Sequence, residues 1–137
     1  MSEREGPAAV ARAAMRAVEE GRRDDWLARF AADARVEDPV GHLPPMVGRD
    51  ALAAFWDGAI SALASTSFEV RREWEAGDEA MLLATVRLLA ANGASADYEG
   101  TFNYRLDGDG AIVSLRAFWD LPAVAAALTG SDQVAGR

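Results

Sequence analysis

The residues best able to do chemistry lie in one short stretch, positions 35–41, which read Arg-Val-Glu-Asp-Pro-Val-Gly. Val36 and Asp38 alternate with charged neighbours, which predicts a half-buried strand with both side chains facing the interior and Glu37 facing solvent. Pro39 ends the strand pairing, and the glycine that follows permits a turn. An inward carboxylate is costly without partners, so Asp38 is either a turn-capping residue or a desolvated general base.

The composition indicates one acidic domain with a sizeable core. The chain has 137 residues, of which 50% are hydrophobic, and a formal net charge of −8. An acidic chain without a basic stripe argues against nucleic-acid binding, and no apolar run reaches the roughly 18 residues that a membrane span needs. The absence of cysteine and of a hydrophobic signal core predicts a cytoplasmic protein. We expect a single domain over residues 1–137, with its ordered core from about 8 to 128.

Four segments carry helical signals. An apolar face recurring every four residues predicts a helix over 7–20, and paired aspartates open a second, short helix over about 24–30 that buries Phe30. A third helix is predicted over 50–63, with an aromatic-rich apolar stripe. A terminal helix is predicted over about 120–128, after which the last residues are expected to be loosely held.

The second half of the chain carries strand signals. Strands are predicted over about 66–75, 81–90, 98–106 and 114–119, separated by glycine-containing turns. The second of these is nearly all apolar, which predicts a central strand covered on both faces. The segment 42–48 contains two prolines and is predicted to be an irregular loop. Early helices followed by a run of strands indicate an α+β fold with a curved sheet wrapped around the helices.

The segment 36–41, with the preceding 27–34, resembles the ketosteroid-isomerase branch of the NTF2/SnoaL-like superfamily. The resemblance continues through 48–52 and 110–117 and so extends over most of the chain. It implies a cone-shaped fold, in which a curved mixed sheet surrounds about three helices and encloses a deep apolar pocket. It also implies that Asp38 is the general base that moves a proton between two carbon atoms of a steroid.

The chain departs from that branch at the positions of the oxyanion donors. The resemblance places Ala14 where the family has a tyrosine and Phe102 where it has a second acid. Phe30 and Trp56 stand in place of two supporting tyrosines. One oxyanion donor is typically worth about 2.7–4 kcal/mol, so an unreplaced loss would leave a weak steroid isomerase.

Three other side chains share the inward strand parity and could donate instead: Tyr98, Tyr104 and Trp119. The resemblance further suggests that the Trp119 indole hydrogen-bonds Asp38, as an indole does in some relatives. Asp38, Tyr104 and Trp119 are therefore candidates for the catalytic group, and Tyr98 is assigned to the pocket wall.

A second branch of the superfamily is also similar, the polyether epoxide hydrolase/cyclases of polyketide pathways, which share the Asp-Pro-Val-Gly sequence. Its members pair the aspartate with a glutamate on a later strand, and Glu69 is the best match in this chain. Two carboxyl groups with separated pKa values suit epoxide opening, which needs an acid and a base. Simple strand parity would instead place Phe68 and Val70 inward and Glu69 in water, and the sequence leaves both arrangements open.

Three functions follow. The favoured one is ring formation or epoxide opening on a hydrophobic polyketide-like substrate, with Asp38 as base and Glu69 as its partner. The second is a 3-oxo-Δ5-steroid isomerase with a rebuilt oxyanion hole, and the third is a non-catalytic module that binds hydrophobic ligands. None requires a cofactor or a metal ion.

Both enzyme functions need an apolar pocket of roughly 300–1,000 Å³. Its predicted lining comprises Ala14, Trp26, Phe30, Val40, Trp56, Tyr98, Phe102 and Leu115, in addition to the catalytic candidates. The family resemblance also implies a homodimer through the outer face of the sheet. The residues expected near that contact are Thr101, Asn103, Ser114, Arg116 and Phe118.

Overall fold

One face of a curved, open, six-stranded mixed sheet is covered by helices in the computed structural model, which describes residues 5–129. The helices are α1 (Pro7–Glu19), α2 (Arg23–Ala28), α3 (Arg49–Phe55) and α4 (Leu121–Thr129). The strands are β1 (Phe30–Glu37), β2 (Met46–Val47), β3 (Leu63–Ala76), β4 (Glu79–Ala90), β5 (Ser95–Leu106) and β6 (Ile112–Phe118). Their order in the sheet is β2-β1-β6-β5-β4-β3, and only the β1–β6 pair is parallel among these strands. The predicted α+β class is confirmed.

Helix α1 packs on the sheet through a face made largely of alanine. Ala8, Ala11 and Ala14 are at most 2% exposed, and Met15 is buried beside them. Small side chains allow a helix to approach a sheet closely, and alanine also has the highest helix propensity. Because Ala14 adds so little volume, space remains between α1 and the inner face of the sheet.

Strand β1 is irregular just before the segment that carries the chemistry. Phe30 pairs with Ile112 of β6, but the next pair along joins Arg35 to Ser114. Strand β1 therefore contains more residues than β6 between these two pairs. The placement of Phe30 on the second helix is therefore wrong: α2 ends at Ala28, and Phe30 begins a strand. The guanidinium of Arg49 donates to the Phe30 carbonyl at 2.8 Å, which holds the start of the strand.

Two further elements differ from the predictions. The α-helical part of the third helix ends at Phe55, and a π-helical turn, Trp56–Ile60, follows it directly. In this wider turn the Ser61 amide donates to the Trp56 carbonyl at 2.8 Å. Part of the loop predicted to be irregular forms strand β2, because Met46 pairs with Val36 of β1. Both differences come from tertiary pairing and packing, which local propensity does not encode.

The outer face of strand β4 is open in this chain. Met81 and Leu89 are 42% and 41% exposed, whereas Leu82 and Val86, on the inner face, are buried. The expectation of cover on both faces is therefore wrong within residues 5–129, because the described helices lie on the inner side. The expectation of loose terminal residues concerns positions 130–137, outside the described residues. No helix within residues 5–129 is both long and apolar enough to cross a membrane.

Candidate active site

Asp38 follows directly after β1, in a turn that stays attached to β6. Val36 pairs with Leu115, and two residues beyond Asp38 the Val40 amide donates to the Ala117 carbonyl at 2.8 Å. These bonds extend the strand's alternation through the turn. Val36 is fully buried, and the Asp38 carboxylate points to the same side, into a cavity between the sheet and the helices.

The neighbouring carboxylate of Glu37 takes the opposite side. It accepts a hydrogen bond from Nε of Arg116 at 3.0 Å on the outer face of the sheet, where its side chain remains 16% exposed. The alternation therefore separates two adjacent acidic side chains into very different surroundings.

The cavity has a volume of about 310 Å³ and a predominantly apolar wall. Of the residues predicted to line it, the structure brings together Ala14, Trp26, Asp38, Tyr98, Phe102, Tyr104, Leu115 and Trp119. Its volume is at the lower end of the range usual for small-molecule sites. Such a space is suited to a hydrophobic small molecule.

Three predicted lining residues lie behind the wall instead. The rings of Phe30 and Trp56 pack against Trp26 at centroid distances of 4.8 and 5.4 Å, so they support a lining residue without reaching the cavity. Phe30 is fully buried because β1 begins there, which turns its ring beneath α2. Val40 is held to β6 through its amide and does not reach the cavity either. Their assignment to the lining is wrong.

Glu69 points away from the cavity. Its side chain is 63% exposed, with a carboxylate oxygen 3.7 Å from Nη1 of Arg71, while Phe68 lines the cavity from the same strand. The pairing of β3 with β4 is regular from Thr66 to Val70, so strict alternation puts Glu69 outside. The proposed inward placement is therefore wrong, and Asp38 is the only carboxyl group among the described lining residues.

The indole of Trp119 holds the Asp38 carboxylate. Its Nε1 donates to Oδ1 of Asp38 at 2.6 Å, and its ring lies against Tyr98 with centroids 4.9 Å apart. Gly100 gives the indole its place, since a Cβ there would lie 2.9 Å from the Phe118 carbonyl and 3.3 Å from Cβ of Trp119. The arrangement fixes the direction of the carboxylate and leaves its other oxygen available.

Burial raises the pKa of Asp38 above its usual range, and the hydrogen bond from Trp119 opposes that rise. The described lining contains no arginine that could pair with it. A carboxylate whose pKa is raised in this way is a stronger base than one in water. It is therefore suited to removing a proton from a weakly acidic group.

Two tyrosines project into the cavity on either side of Phe102 along β5. Burial, and secondly the negative charge of Asp38, raise the pKa of both Tyr98 and Tyr104 above the usual value. Neither hydroxyl has a hydrogen-bond partner within residues 5–129, and neither is sealed from the cavity space. Both therefore remain protonated and can donate a hydrogen bond to an oxygen of a bound ligand.

The sequence prediction missed a wall of the cavity, the terminal helix α4. Leu121, Val124, Ala125 and Leu128 line the cavity from this helix. Their spacing of three, one and three residues is the pattern of one helical face, so the signal was present in the sequence. The helix was predicted, but nothing local indicated that its apolar face turns back onto the sheet.

Residues 11–115 match the SnoaL-like domain family, so the chain belongs to this family of the NTF2-like superfamily. The Δ5-3-ketosteroid isomerase from Mycobacterium sp. is 30% identical, with a TM-score of 0.79 and coverage of 85% of this chain and 95% of that one. RV0760c from Mycobacterium tuberculosis, solved in complex with estradiol-17beta-hemisuccinate, is 25% identical, with a TM-score of 0.80 and coverage of 86% and 97%.

The epoxide hydrolase/cyclase-like enzyme SalBIII, described in pyran ring formation in the polyether salinomycin, shares the fold at 22% identity. Its TM-score is 0.75, and the alignment covers 85% of this chain and 92% of that one. A comparison with curated proteins found no match. The resemblance to the NTF2/SnoaL-like superfamily is thus confirmed.

Proposed function

We propose that this protein is a cofactor-independent isomerase that moves a proton between two carbon atoms of a hydrophobic, steroid-like ketone. The observation that carries the proposal is that Asp38, the only carboxyl group among the described lining residues, faces an apolar cavity and is held by Trp119. One carboxylate suits a reaction in which the same group takes a proton and returns it elsewhere. Such a reaction needs no second acid and consumes no co-reactant.

The reaction can be written for a β,γ-unsaturated ketone. The Asp38 carboxylate removes the proton from the carbon between the carbonyl and the alkene, and the electron pair of that C–H bond moves into a dienolate. The negative oxygen accepts a hydrogen bond from Tyr104 or Tyr98. The carboxylic acid then returns the proton to the far carbon of the former alkene, which yields the conjugated ketone and regenerates the base.

The environment of the tyrosines favours this reaction over acid-assisted epoxide opening. Epoxide opening needs a group that transfers a proton to the leaving oxygen. Glu69 lies outside the cavity, and a tyrosine whose pKa is raised is a weaker acid that donates a hydrogen bond more readily than a proton. The two mycobacterial proteins, one named a ketosteroid isomerase and one solved with a steroid derivative, support the same substrate class.

Conversion of a 3-oxo-Δ5-steroid to its conjugated isomer tests this function directly. The product absorbs in the ultraviolet, so turnover can be followed without labels. We expect wild-type protein to produce the conjugated enone and Asp38→Asn to produce far less. If both proteins bind the steroid equally and neither converts it, the chain is a binding module for hydrophobic ligands.

We also propose that the protein forms a homodimer through the outer face of the sheet. Phe118 of β6 and Met81 of β4 are 44% and 42% exposed there, and both line one shallow depression of this face. Thr101, Asn103, Ser114 and Arg116 lie around them on the same face. Light scattering at micromolar concentration should give twice the monomer mass, and Phe118→Glu should reduce it. A monomer mass for the wild type would disprove the dimer.

A further inference from the structure

The hydroxyl groups that line the cavity fall into two sets. Tyr98 and Tyr104 accompany Asp38 in the reacting group. Thr66, on β3, is the one other hydroxyl among the described lining residues, and its neighbours in the wall are Leu63, Phe68 and similar apolar side chains. The Thr66 hydroxyl has no role in the proposed isomerisation.

The register of the sheet places this threonine far from the base. Thr66 of β3 pairs with Leu88 of β4. The turn that carries Asp38 lies, across β6, level with Phe102 of β5, and Phe102 pairs with Leu82 of β4. Leu82 and Leu88 are six positions apart, or roughly 20 Å along a strand at about 3.3 Å per residue. In addition, β1 and β3 lie towards opposite edges of the sheet, with β6, β5 and β4 between them. The threonine therefore belongs to the end of the cavity away from Asp38.

No hydrogen bond of the described fold requires a hydroxyl at this position, where the side chain is partly exposed. Within residues 5–129 the Thr66 hydroxyl has no hydrogen-bond partner. Valine has the same shape and a comparable preference for strands, and it would suit an apolar wall better. A hydroxyl facing such a wall gains stability only when a ligand or water completes its hydrogen bonding.

We propose that Thr66 binds a second oxygen of the ligand, at the end opposite the reacting ketone. The ligand class is then a rigid, elongated, apolar molecule with an oxygen at each end. The inference rests on the proposed function for the assignment of the reacting end to Asp38. It adds a specificity-determining residue that touches no reacting atom.

Calorimetric titration with estradiol and its 17-deoxy analogue tests the proposal, because these two rigid molecules differ only in the distal hydroxyl. One neutral hydrogen bond corresponds to about a 3- to 10-fold difference in affinity, so wild-type protein should prefer estradiol by that factor. Thr66→Val should abolish the preference while keeping the affinity for the deoxy analogue. Thr66→Ser should retain the preference.

A matched control is Thr85→Val, the same change on the outer face of β4, which should leave the preference intact. Far-UV circular dichroism and a thermal melt establish that each variant is folded. Equal affinity of wild-type protein for the two ligands would overturn the inference, as would a preference that survives Thr66→Val. Failure of both ligands to bind would overturn the ligand class.

The outcomes for the two proposals are separable. Turnover of a 3-oxo-Δ5-steroid without a distal oxygen is measured on wild-type protein and on Asp38→Asn, separately from the binding measurements on Thr66→Val. If Asp38→Asn keeps full turnover while Thr66→Val loses the estradiol preference, the isomerase proposal fails and the distal site stands. If the preference is absent while Asp38→Asn is inactive, only the distal site fails.

Discussion

Asp38, in the turn after β1, and Glu69, on β3, are both carboxylates, yet they are in opposite environments. Asp38 faces the cavity, where burial raises its pKa and Trp119 is its hydrogen-bond partner. Glu69 is 63% exposed on the outer face beside Arg71, where water screens its charge. The difference comes from strand alternation alone, since a shift of one residue exchanges the two faces. Position in the pleat, more than residue type, therefore decides which carboxylate can act as a base.

The largest expected effect is the loss of turnover in Asp38→Asn. Asparagine keeps the size of the side chain and can still accept the Trp119 hydrogen bond, but it cannot take a proton. General-base catalysis is typically worth about 10²- to 10⁴-fold, so kcat should fall on that scale with little change in ligand affinity.

Glu69→Gln is the matched control for that experiment, because it makes the same chemical change on the outer face. Its kcat should stay within about twofold of the wild-type value. A loss in Glu69→Gln comparable to that in Asp38→Asn would mean that the two carboxyl groups act together, which would revive epoxide opening.

A somewhat smaller effect is expected when the two tyrosine hydroxyls are removed one at a time. Loss of one oxyanion donor typically costs about 10²- to 10³-fold in kcat, so the tyrosine that contacts the dienolate oxygen should show that loss when changed to phenylalanine. The other tyrosine should show much less. Steady-state kinetics of Tyr104→Phe and Tyr98→Phe identify the donor, and near-normal rates for both would exclude a tyrosine oxyanion hole.

The raised pKa values of both tyrosines add a test of pH dependence. Because both phenols stay protonated, activity should not fall near pH 10, the usual pKa of tyrosine. An alkaline loss of rate centred near that pH would contradict the environment assigned to them.

Trp119→Phe should change the pH dependence of the reaction. The indole hydrogen bond lowers the pKa of Asp38, so removing it should raise that pKa further and leave less ionised base at low pH. A hydrogen bond to a charged group is worth about 1.5–3 kcal/mol, so kcat/KM on the acid side should fall about tenfold or more. The loss should shrink as the pH rises.

Trp74→Phe provides the control, because Trp74 is 46% exposed on β3 and packs beside Arg72, away from the cavity. Its pH profile should match that of the wild type. A uniform loss across the pH range in Trp119→Phe would indicate a structural role for the indole and no effect on the base.

The sequence was informative wherever a short period decided the outcome. The inward parity of Tyr98, Phe102 and Tyr104 follows from alternation along β5, and the same reasoning already offered the exposed position for Glu69. Only the family resemblance placed Glu69 inward, and strand parity predicts its position correctly. The α+β class also followed from the order of the segments.

What the sequence could not predict depends on long-range pairing. The irregular start of β1 that removes Phe30 from the second helix is set by its pairing with Ile112, more than 80 residues later. The closure of the cavity by α4 likewise depends on how the helix returns to the sheet, for which Leu121 and Leu128 give a face but no direction. Neither has a local signature, because each depends on tertiary contacts that form only in the folded chain.

The smallest expected effect is a difference in how Asp38→Asn and Glu69→Gln change the thermal stability of the protein. The pKa of Asp38 is raised in the folded state, so the folded protein holds this proton more tightly than the unfolded chain does. Stability from this group is therefore lost as the pH rises from the unfolded pKa of about 3.9 through the folded pKa. Asparagine carries no charge, so Asp38→Asn should unfold at a higher temperature than wild type at neutral pH. The difference should vanish below about pH 3.9.

Glu69→Gln should show no comparable pH-dependent gain in stability. An exposed ion pair contributes only about 0–1 kcal/mol, so its loss should change the unfolding temperature little at any pH. Thermal melts of the three proteins from acid to neutral pH measure both effects in one experiment. If Asp38→Asn is less stable than wild type at neutral pH, the buried charge is stabilised by interactions beyond the Trp119 hydrogen bond. Asp38 would then be a structural carboxylate that its surroundings stabilise, and its assignment as a reactive base would be wrong.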